Sequence, residues 1–286
     1  MKKSRPEPSL RAQWIGKSMR ELRKRRRIPQ AEASSHIQRD PSMLGRYENG
    51  EIPFRREDLL SLLDYYGVSS ERERDSLLQL CDDIWRKDWW DDLRDDLGTD
   101  FINVPWLESR VDRINTYQHF LVPGLLQTRD YAEVLIRKDA SKRTSEDQIE
   151  RWIDVRMGRQ QVLQGDHPIH LTVVMEEVVI QRPIGGSEIL RDQLHYLLDV
   201  SKLENVCLRV IPTRRGEHAA YKGSFEHYEM PEPYPDVAYL DTLGGSLYVE
   251  EPTVGTIRDI WNDVSQAALS ASESVSRIEQ HLEELT

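Results

Sequence analysis

Two groups of side chains near the start of the chain have the chemistry needed to hold a nucleic acid. The run RKRRR, from Arg23 to Arg27, places five cations side by side, and such cations can contact phosphates. Ser42, Met43 and Arg46 follow at helical spacing and carry a hydroxyl, a thioether and a guanidinium. These groups contact base edges when a helix carries them into a groove. The alternative for the basic run is a solvated face or a localisation-like patch.

A pair of short helices must position the second group. The first is predicted from about Gln30 to Ile37, and Pro29 suits its start because the ring pre-sets a helical φ. Asp40 is a good N-cap for the second, which is predicted from Pro41 to about Asn49. Gly50 then supplies the left-handed conformation that helix ends favour. Two short helices behind a cationic segment are the geometry that places one helix in the DNA major groove.

Apolar residues at helical spacing predict three more helices, at residues 10–27, 57–66 and 70–84. Together with the helix pair they make one all-α domain over residues 10–80. Residues 1–9 are polar and contain proline, which predicts a flexible arm in front of this domain.

Residues 81–100 have an unusual composition, with eight Asp and three Trp. We predict an acidic connecting helix whose tryptophans pack between domains. The alternative is an acidic, aromatic strip that binds a partner or the chain's own basic head.

Residues 101–286 have the pattern of an α+β domain. The stretch 106–137 predicts a helix, a kink at Val122-Pro123-Gly124 and a second helix. Later segments predict a small, mostly antiparallel sheet with helices on one side. The β-type segments lie at residues 169–180, 205–212, 223–230, 236–243 and 246–251. Helices are predicted at residues 145–163, 190–203, 256–269 and 273–285. The apolar stripe of the last helix is either a core face or a dimer seam.

The charge of the chain is divided unevenly. The net charge of -11 alone argues against a nucleic-acid partner. Residues 1–60, however, contain 15 basic and 8 acidic side chains, a net +7, while the rest contains 24 basic and 42 acidic ones, a net -18. A basic head can sit on phosphates while an acidic body is repelled from them. The alternative is two domains of unequal charge that bind no DNA.

Composition indicates the compartment. A hydrophobic content of 38% and a mean hydropathy of -0.65 suit a soluble protein. No apolar run approaches the roughly 18 residues of a membrane span, and no hydrophobic segment follows the basic start as in a secretory signal. Cys81 and Cys207 give no disulfide framework. We expect a cytoplasmic, nucleoid-associated protein without a membrane partner.

The sequence gives little support for a metal site or an enzyme. His167 and His170 are three residues apart before a strand, where they would face opposite sides, so a shared metal is not expected. Glu176 and Glu177 are adjacent, so we expect one in a buried network and the other in solvent. The sequence therefore predicts no enzyme, no metal and no cofactor.

Two features are compatible with a small-molecule site, although each also has a purely structural interpretation. The Pro123-Gly124 kink either only turns the chain or lines a groove for a ligand or partner. The aromatic residues near the later strands either form the core or line a pocket. They are Tyr221, Phe225, Tyr228, Tyr234, Tyr239 and Tyr248.

Residues 10–80 resemble the Cro/XRE helix-turn-helix family in the pieces PQAEASSHI and DPSMLGRYENGEIP. The resemblance implies that Gln30 bonds a phosphate, that Asp40, Ser42 and Met43 face base edges, and that Arg46 reaches a base or phosphate. The predicted DNA-binding residues are Arg25, Arg26, Arg27, Gln30, Arg39, Asp40, Ser42, Met43, Arg46 and Tyr47.

Two residues depart from the family pattern. Pro41 stands where many relatives carry a base-reading glutamine, and it cannot donate a hydrogen bond. Gln38 stands where the turn glycine is usual. The base preference of better-known members therefore does not carry over, while the fold is little affected.

Residues 100–280 resemble a second domain found in antitoxin-like bacterial regulators, including the WhiJ-type. The matching pieces are YQHFLVPGLLQTRDYAEVLI, VRMGRQQVL, PIGGSEILRDQLHYLL, NVCLRVIP and DTLGGSLYVEE. The resemblance implies a regulator whose large domain senses a partner or ligand, since members are typically encoded beside a small partner protein.

Two functional hypotheses follow. The first is a homodimeric transcription factor that binds double-stranded DNA and responds to a small protein from the adjacent gene or to a small-molecule effector. The alternative is an antitoxin-like protein that neutralises this neighbour and regulates its own operon.

Overall fold

A computed structural model describes residues 9–86, 89–90, 103–242 and 245–285. The chain divides into two compact units. The amino-terminal unit comprises Met1–Val104 with Glu232–Tyr234, and the carboxyl-terminal unit comprises Pro105–Pro231 with Pro235–Thr286. The predicted arm lies outside the described residues except for its last residue. Most of the predicted connecting helix also lies outside them.

The amino-terminal unit is all-α in its described part. Its helices are α1 Leu10–Arg25, α2 Gln30–His36, α3 Pro41–Glu48, α4 Arg56–Tyr65 and α5 Glu71–Trp85. The predicted helices are confirmed within two residues at each end. Local capping explains this agreement, because Asp40 accepts the Ser42 backbone N–H at 2.8 Å and Ser70 accepts that of Glu73 at 3.3 Å.

Helix α1 lies directly against the end of α3. A Cβ atom on Gly16 would lie 2.6 Å from the Tyr47 carbonyl oxygen, so the two backbones touch at this point. Gly50 ends α3 with φ +71°, as predicted from its position. Ile15 and Met19 of α1 and Leu44 of α3 are completely buried. The position of α3 is therefore set by backbone contact as well as by side-chain packing.

Gln38, in the turn between α2 and α3, has φ +55°. This left-handed conformation costs an L-residue about 1–2 kcal/mol, and glycine avoids the cost. We expect Gln38→Gly to raise the free energy of unfolding by about 0.5–1 kcal/mol, because the greater freedom of unfolded glycine offsets part of the gain. Urea denaturation measures this. Gln38→Gly should raise the urea concentration at the midpoint of unfolding, and Gln38→Val should lower it. Equal midpoints for both variants would contradict the explanation.

A mixed six-stranded sheet forms the centre of the carboxyl-terminal unit. The strand order is β3-β2-β1-β4-β5-β6. Pairs β1–β2 and β2–β3 are parallel, while the other three pairs are antiparallel. The strands are β1 Arg113–Gln118, β2 His170–Glu176, β3 Val206–Ile211, β4 Phe225–Glu229, β5 Val237–Thr242 and β6 Gly245–Val249.

Helices cover both faces of this sheet rather than the single face that was predicted. The helices described from residue 103 onward are α6 (described over residues 103–108), α7 Arg129–Asp139, α8 Glu146–Arg159, α9 Glu177–Gln181, α10 Ser187–Val200, α11 Thr253–Ala267 and α12 Ala271–Glu284. On β4, Phe225 packs on Trp261 of α11, with ring centroids 6.5 Å apart. The next residue, Glu226, points to the opposite face and interacts electrostatically with Arg156 and Arg159 of α8.

Strand β1 was predicted as part of a helix, and this prediction is wrong. The strand lies between β2 and β4, and Ile114, Asn115, Thr116 and Tyr117 are all buried. A strand covered on both faces loses the alternation of polar and apolar residues that identifies a half-exposed strand. The kink that follows is confirmed, since a short 3-10 turn at Gly124–Leu126 separates β1 from α7.

Helix α12 packs along β3, at one edge of the sheet. Ser274 accepts the Val210 N–H through its hydroxyl at 2.9 Å, and Leu269 donates its N–H to the Val210 carbonyl at 2.9 Å. Ile278 is completely buried. These contacts favour the core-face interpretation of the apolar stripe at Ile278.

Candidate nucleic-acid interface

Helix α3 has one buried side and one exposed side. Leu44 and Tyr47 are buried, whereas Ser42 and Arg46 are exposed and Met43 is half-buried. The three predicted base-reading residues therefore share the outward side of a helix whose inward side is anchored in the core.

Asp40 and Ser42 act as a pair at the start of α3. Hydrogen bonds from the side chain and backbone of Ser42 hold the pKa of the exposed Asp40 carboxyl below its usual value. Asp40 therefore stays ionised as a helix cap at neutral pH. Any base contact by Ser42 has to share its hydroxyl with this cap.

Gln30, at the start of α2, lies against α3. A Cβ atom on Gly45 would be 2.9 Å from the Gln30 Nε2 atom. Because residue 45 is glycine, the Gln30 amide can lie across α3 beside its exposed side. The structure thus places Gln30 next to Gly45 on α3, the helix that carries the predicted base-reading residues.

Tyr47 and Arg39 both bind Asp58 of α4. The Tyr47 hydroxyl donates to Asp58 Oδ2 at 2.9 Å, and its ring stacks on Phe54 with centroids 4.6 Å apart. Tyr47 is 1% exposed, so the prediction that it contacts DNA is wrong. Its burial also raises its pKa to about 12. Arg39 donates to the same carboxylate at 3.2 and 3.3 Å, which fixes the turn and partly neutralises this cation.

Arg46 already has a carboxylate neighbour. Its Nε lies 3.8 Å from Glu51 Oε2, and the two side chains are 46% and 34% exposed. An exposed pair of this kind contributes about 1 kcal/mol or less, so a phosphate or a guanine edge can displace it.

The basic run divides into one buried and three exposed arginines. Arg23 donates to Glu48 at 2.6 and 2.8 Å in a buried bidentate pair, so it is unavailable to phosphates and its expected contact is wrong. Arg25, Arg26 and Arg27 are exposed. Arg26 donates to the Gly67 carbonyl at 2.9 Å, and in the described part of the chain Arg25 and Arg27 form no ion pair.

Sequence reasoning missed the anchoring role of Glu48. This residue receives Arg23 and also lies 3.6 Å from Arg20 Nε, which ties the end of α3 to α1. The signal was present, because an acidic residue directly before the helix-ending Asn49-Gly50 faces the basic helix α1.

Glu176 and Glu177 in the carboxyl-terminal unit were expected to divide into one buried and one solvated side chain. Glu176 accepts from the Tyr117 hydroxyl at 2.9 Å and lies 2.7 Å from His218 Nε2. Glu177 accepts from the Thr213 N–H at 2.9 Å and from Arg277 at 2.6 Å. Both therefore belong to structural networks, and the expectation of a solvated one is wrong.

Comparison with known families agrees with the division into two units. Residues 14–77 match the family described as a helix-turn-helix domain, which supports a DNA-binding regulator. Residues 101–280 match the domain of unknown function DUF5753. Since this match spans more than half of the chain, the protein belongs to the DUF5753 family. No curated protein and no solved structure matched the chain. Across the described residues, no helix combines the length and apolarity needed to cross a membrane.

Proposed function

We propose that the protein is a sequence-specific transcriptional regulator of the Cro/XRE type. The observation that carries the proposal is the outward side of α3, formed by exposed Ser42 and Arg46 and half-buried Met43, whereas its inward side is fixed by buried Leu44 and Tyr47. A rigidly held helix with an open polar side suits insertion into the major groove. In a homodimer, two such helices would read half-sites about 34 Å apart.

The exposed cations support phosphate binding around this helix. Arg25 is the last residue of α1, and Arg26 and Arg27 follow it directly. All three are exposed, and each phosphate that they neutralise releases counterions. We therefore expect steep loss of affinity as salt concentration rises. The acidic remainder of the chain limits non-specific attachment to DNA.

We propose that the carboxyl-terminal unit is the receiving part of the regulator and has no catalytic role. Its resemblance to the WhiJ-type domain supports a small protein from the adjacent gene as the partner. Genome-wide mapping of bound DNA, with and without that neighbour, tests the proposal. Discrete sites that change with the neighbour are expected. A small protein that co-purifies without altering DNA binding would favour the antitoxin-like alternative.

Arg46→Ala is expected to weaken binding to the mapped site by about 1–3 kcal/mol, because a direct contact to a base or phosphate is lost. Glu51→Gln should strengthen binding slightly, since it frees Arg46 from its carboxylate neighbour. Arg86→Ala removes an exposed arginine outside the helix pair and serves as the control. Fluorescence anisotropy at fixed salt measures all three. Equal affinity of the wild type and Arg46→Ala would contradict the predicted contact of Arg46 with DNA.

A further inference from the structure

The turn that follows α3 brings Glu51 back to Arg46. Gly50, with φ +71°, reverses the direction of the chain and donates its N–H to the Tyr47 carbonyl at 3.0 Å. Ile52 donates its N–H to the Arg46 carbonyl at 3.4 Å, so the backbone on both sides of Glu51 is hydrogen-bonded to α3. Glu51 Oε2 then lies 3.8 Å from Arg46 Nε. The course of the backbone therefore places this carboxylate beside the arginine that is predicted to read bases.

Asn49, at the end of α3, holds the other oxygen of the Glu51 carboxylate. Its Nδ2 donates to Glu51 Oε1 at 3.3 Å, and its Oδ1 accepts from Arg20 of α1. A side-chain amide carries its donor and its acceptor on different atoms, so only one orientation of Asn49 satisfies both partners. Asn49 thus fixes the Glu51 carboxylate relative to α1.

Arg20 connects Asn49 to the interior of the amino-terminal unit. Its Nε lies 3.6 Å from Glu48 Oε2, and Glu48 accepts from buried Arg23 at 2.6 and 2.8 Å. A continuous series of polar contacts therefore leads from the core to the exposed side of α3. Its members, in order, are Arg23, Glu48, Arg20, Asn49, Glu51 and Arg46. Because the first pair is buried, the series gives Arg46 a defined position before DNA arrives.

The charge of Glu51 affects two kinds of DNA contact differently. A phosphate is negatively charged, so the Glu51 carboxylate repels it from Arg46. A guanine edge carries no net charge and offers two acceptors, O6 and N7, to an arginine. Glu51 approaches Arg46 at Nε, whereas an end-on contact with guanine uses the two Nη atoms. A carboxylate in this position therefore opposes phosphate binding by Arg46 more strongly than base reading.

We propose that Glu51, positioned by Asn49, is a specificity determinant of DNA binding. Glu51 holds the Arg46 guanidinium for a guanine edge and keeps it away from phosphates. Because specificity is a difference between affinities, weakening a contact that every sequence offers increases it. The inference deepens the proposed function and rests on it, since α3 has to read DNA.

Glu51→Gln tests the role of the charge, because glutamine keeps an acceptor for Asn49. Fluorescence anisotropy with the full chain measures affinity for the mapped site, for that site with each base pair exchanged, and for an unrelated duplex, at several salt concentrations. In the wild type, exchange of the guanine that Arg46 reads should weaken binding about tenfold or more. In Glu51→Gln this loss should fall to about threefold or less. Affinity for the unrelated duplex should rise, with a salt slope steeper by about 0.9, the value for one added phosphate contact.

Glu71→Gln is the matched control, since it removes the same charge from an exposed residue at the start of α5. It should leave the base-pair discrimination and the salt slope as they are in the wild type. A chain that binds a specific site but discriminates equally in Glu51→Gln and Glu71→Gln overturns this inference alone. A wild type that binds no specific site overturns the proposed function, and this inference with it.

The positioning of Arg46 can also be measured without DNA. NMR relaxation of the arginine Nε–Hε groups in the free chain reports how ordered each guanidinium is, and Arg46→Lys identifies the Arg46 signal. Glu51→Gln and Asn49→Ala should both lower the order parameter of Arg46, whereas Glu71→Gln should not. An unchanged order parameter in Glu51→Gln and Asn49→Ala would show that Glu51 does not position Arg46, and would overturn the inference.

Discussion

Glu48→Gln is expected to lower the free energy of unfolding of the amino-terminal unit by about 3 kcal/mol. The substitution keeps the shape of the side chain but leaves Arg23 buried without its counter-charge. The pair it removes is bidentate, at 2.6 and 2.8 Å. We take the lower end of the range for broken buried pairs because the Arg23 side chain keeps 11% exposure. Such a loss is a large share of the roughly 5–15 kcal/mol of a typical domain.

Hydrogen exchange measured by mass spectrometry can localise this loss to α1 and α3. Both helices should exchange faster in Glu48→Gln than in the wild type, because Glu48 joins them. Glu21→Gln is the control, since Glu21 is exposed on the same helix α1. DNA affinity should fall with stability, as α3 loses its anchor. Similar exchange in both variants would show that Arg23 is satisfied without Glu48.

Glu108→Gln is expected to lower the free energy of unfolding of the carboxyl-terminal unit by about 3–5 kcal/mol. Arg159 would lose its bidentate carboxylate partner while Arg156 remains about one turn away, so the two cations would repel each other. Glu108 and Arg159 keep side-chain exposures of 1% and 6%, which leaves little water to compensate.

The control for this prediction is an exposed ion pair of the same unit. Glu133→Gln breaks the ion pair between Glu133 and Arg137, whose side chains are 33% and 39% exposed. It should lower the free energy of unfolding by about 1 kcal/mol or less. Removing both partners of the buried pair, as Glu108→Leu with Arg159→Met, should restore most of the stability. Urea denaturation compares the variants. A cost for Glu108→Gln no greater than that for Glu133→Gln would refute the prediction.

The helices of the amino-terminal unit could be predicted closely because their signals are local. Asp40 caps α3 through a residue two positions away, and Gly50 ends it through its own φ. Strand β1 could not be predicted in this way. Its partners, at residues 170–175 and 225–229, are remote in the chain, and their pairing decides its conformation.

The candidate interface was predicted in part. Ser42, Met43 and Arg46 lie on the outward side of α3, as helical spacing predicts. Arg23 and Tyr47 do not belong to the candidate interface, because each is buried and donates a hydrogen bond to a carboxylate. The carboxylate is Glu48 for Arg23 and Asp58 for Tyr47. Residue type alone could not separate Arg23 from the exposed arginines that follow it.

The sequence by itself determined the helix pair from Gln30 to Glu48, the basic character of the first 60 residues and the α+β nature of the remainder. Capping, helical spacing and composition act within a few residues, so they can be read along the chain. Only the tertiary structure decided which charges are free. Arg23 meets Glu48 across 25 positions and Arg159 meets Glu108 across 51, while Arg156 donates to the Gln127 side-chain amide oxygen. Burial and ion pairing join residues that are distant in sequence, and this is the physical reason why Arg156 and Arg159 of α8 differ.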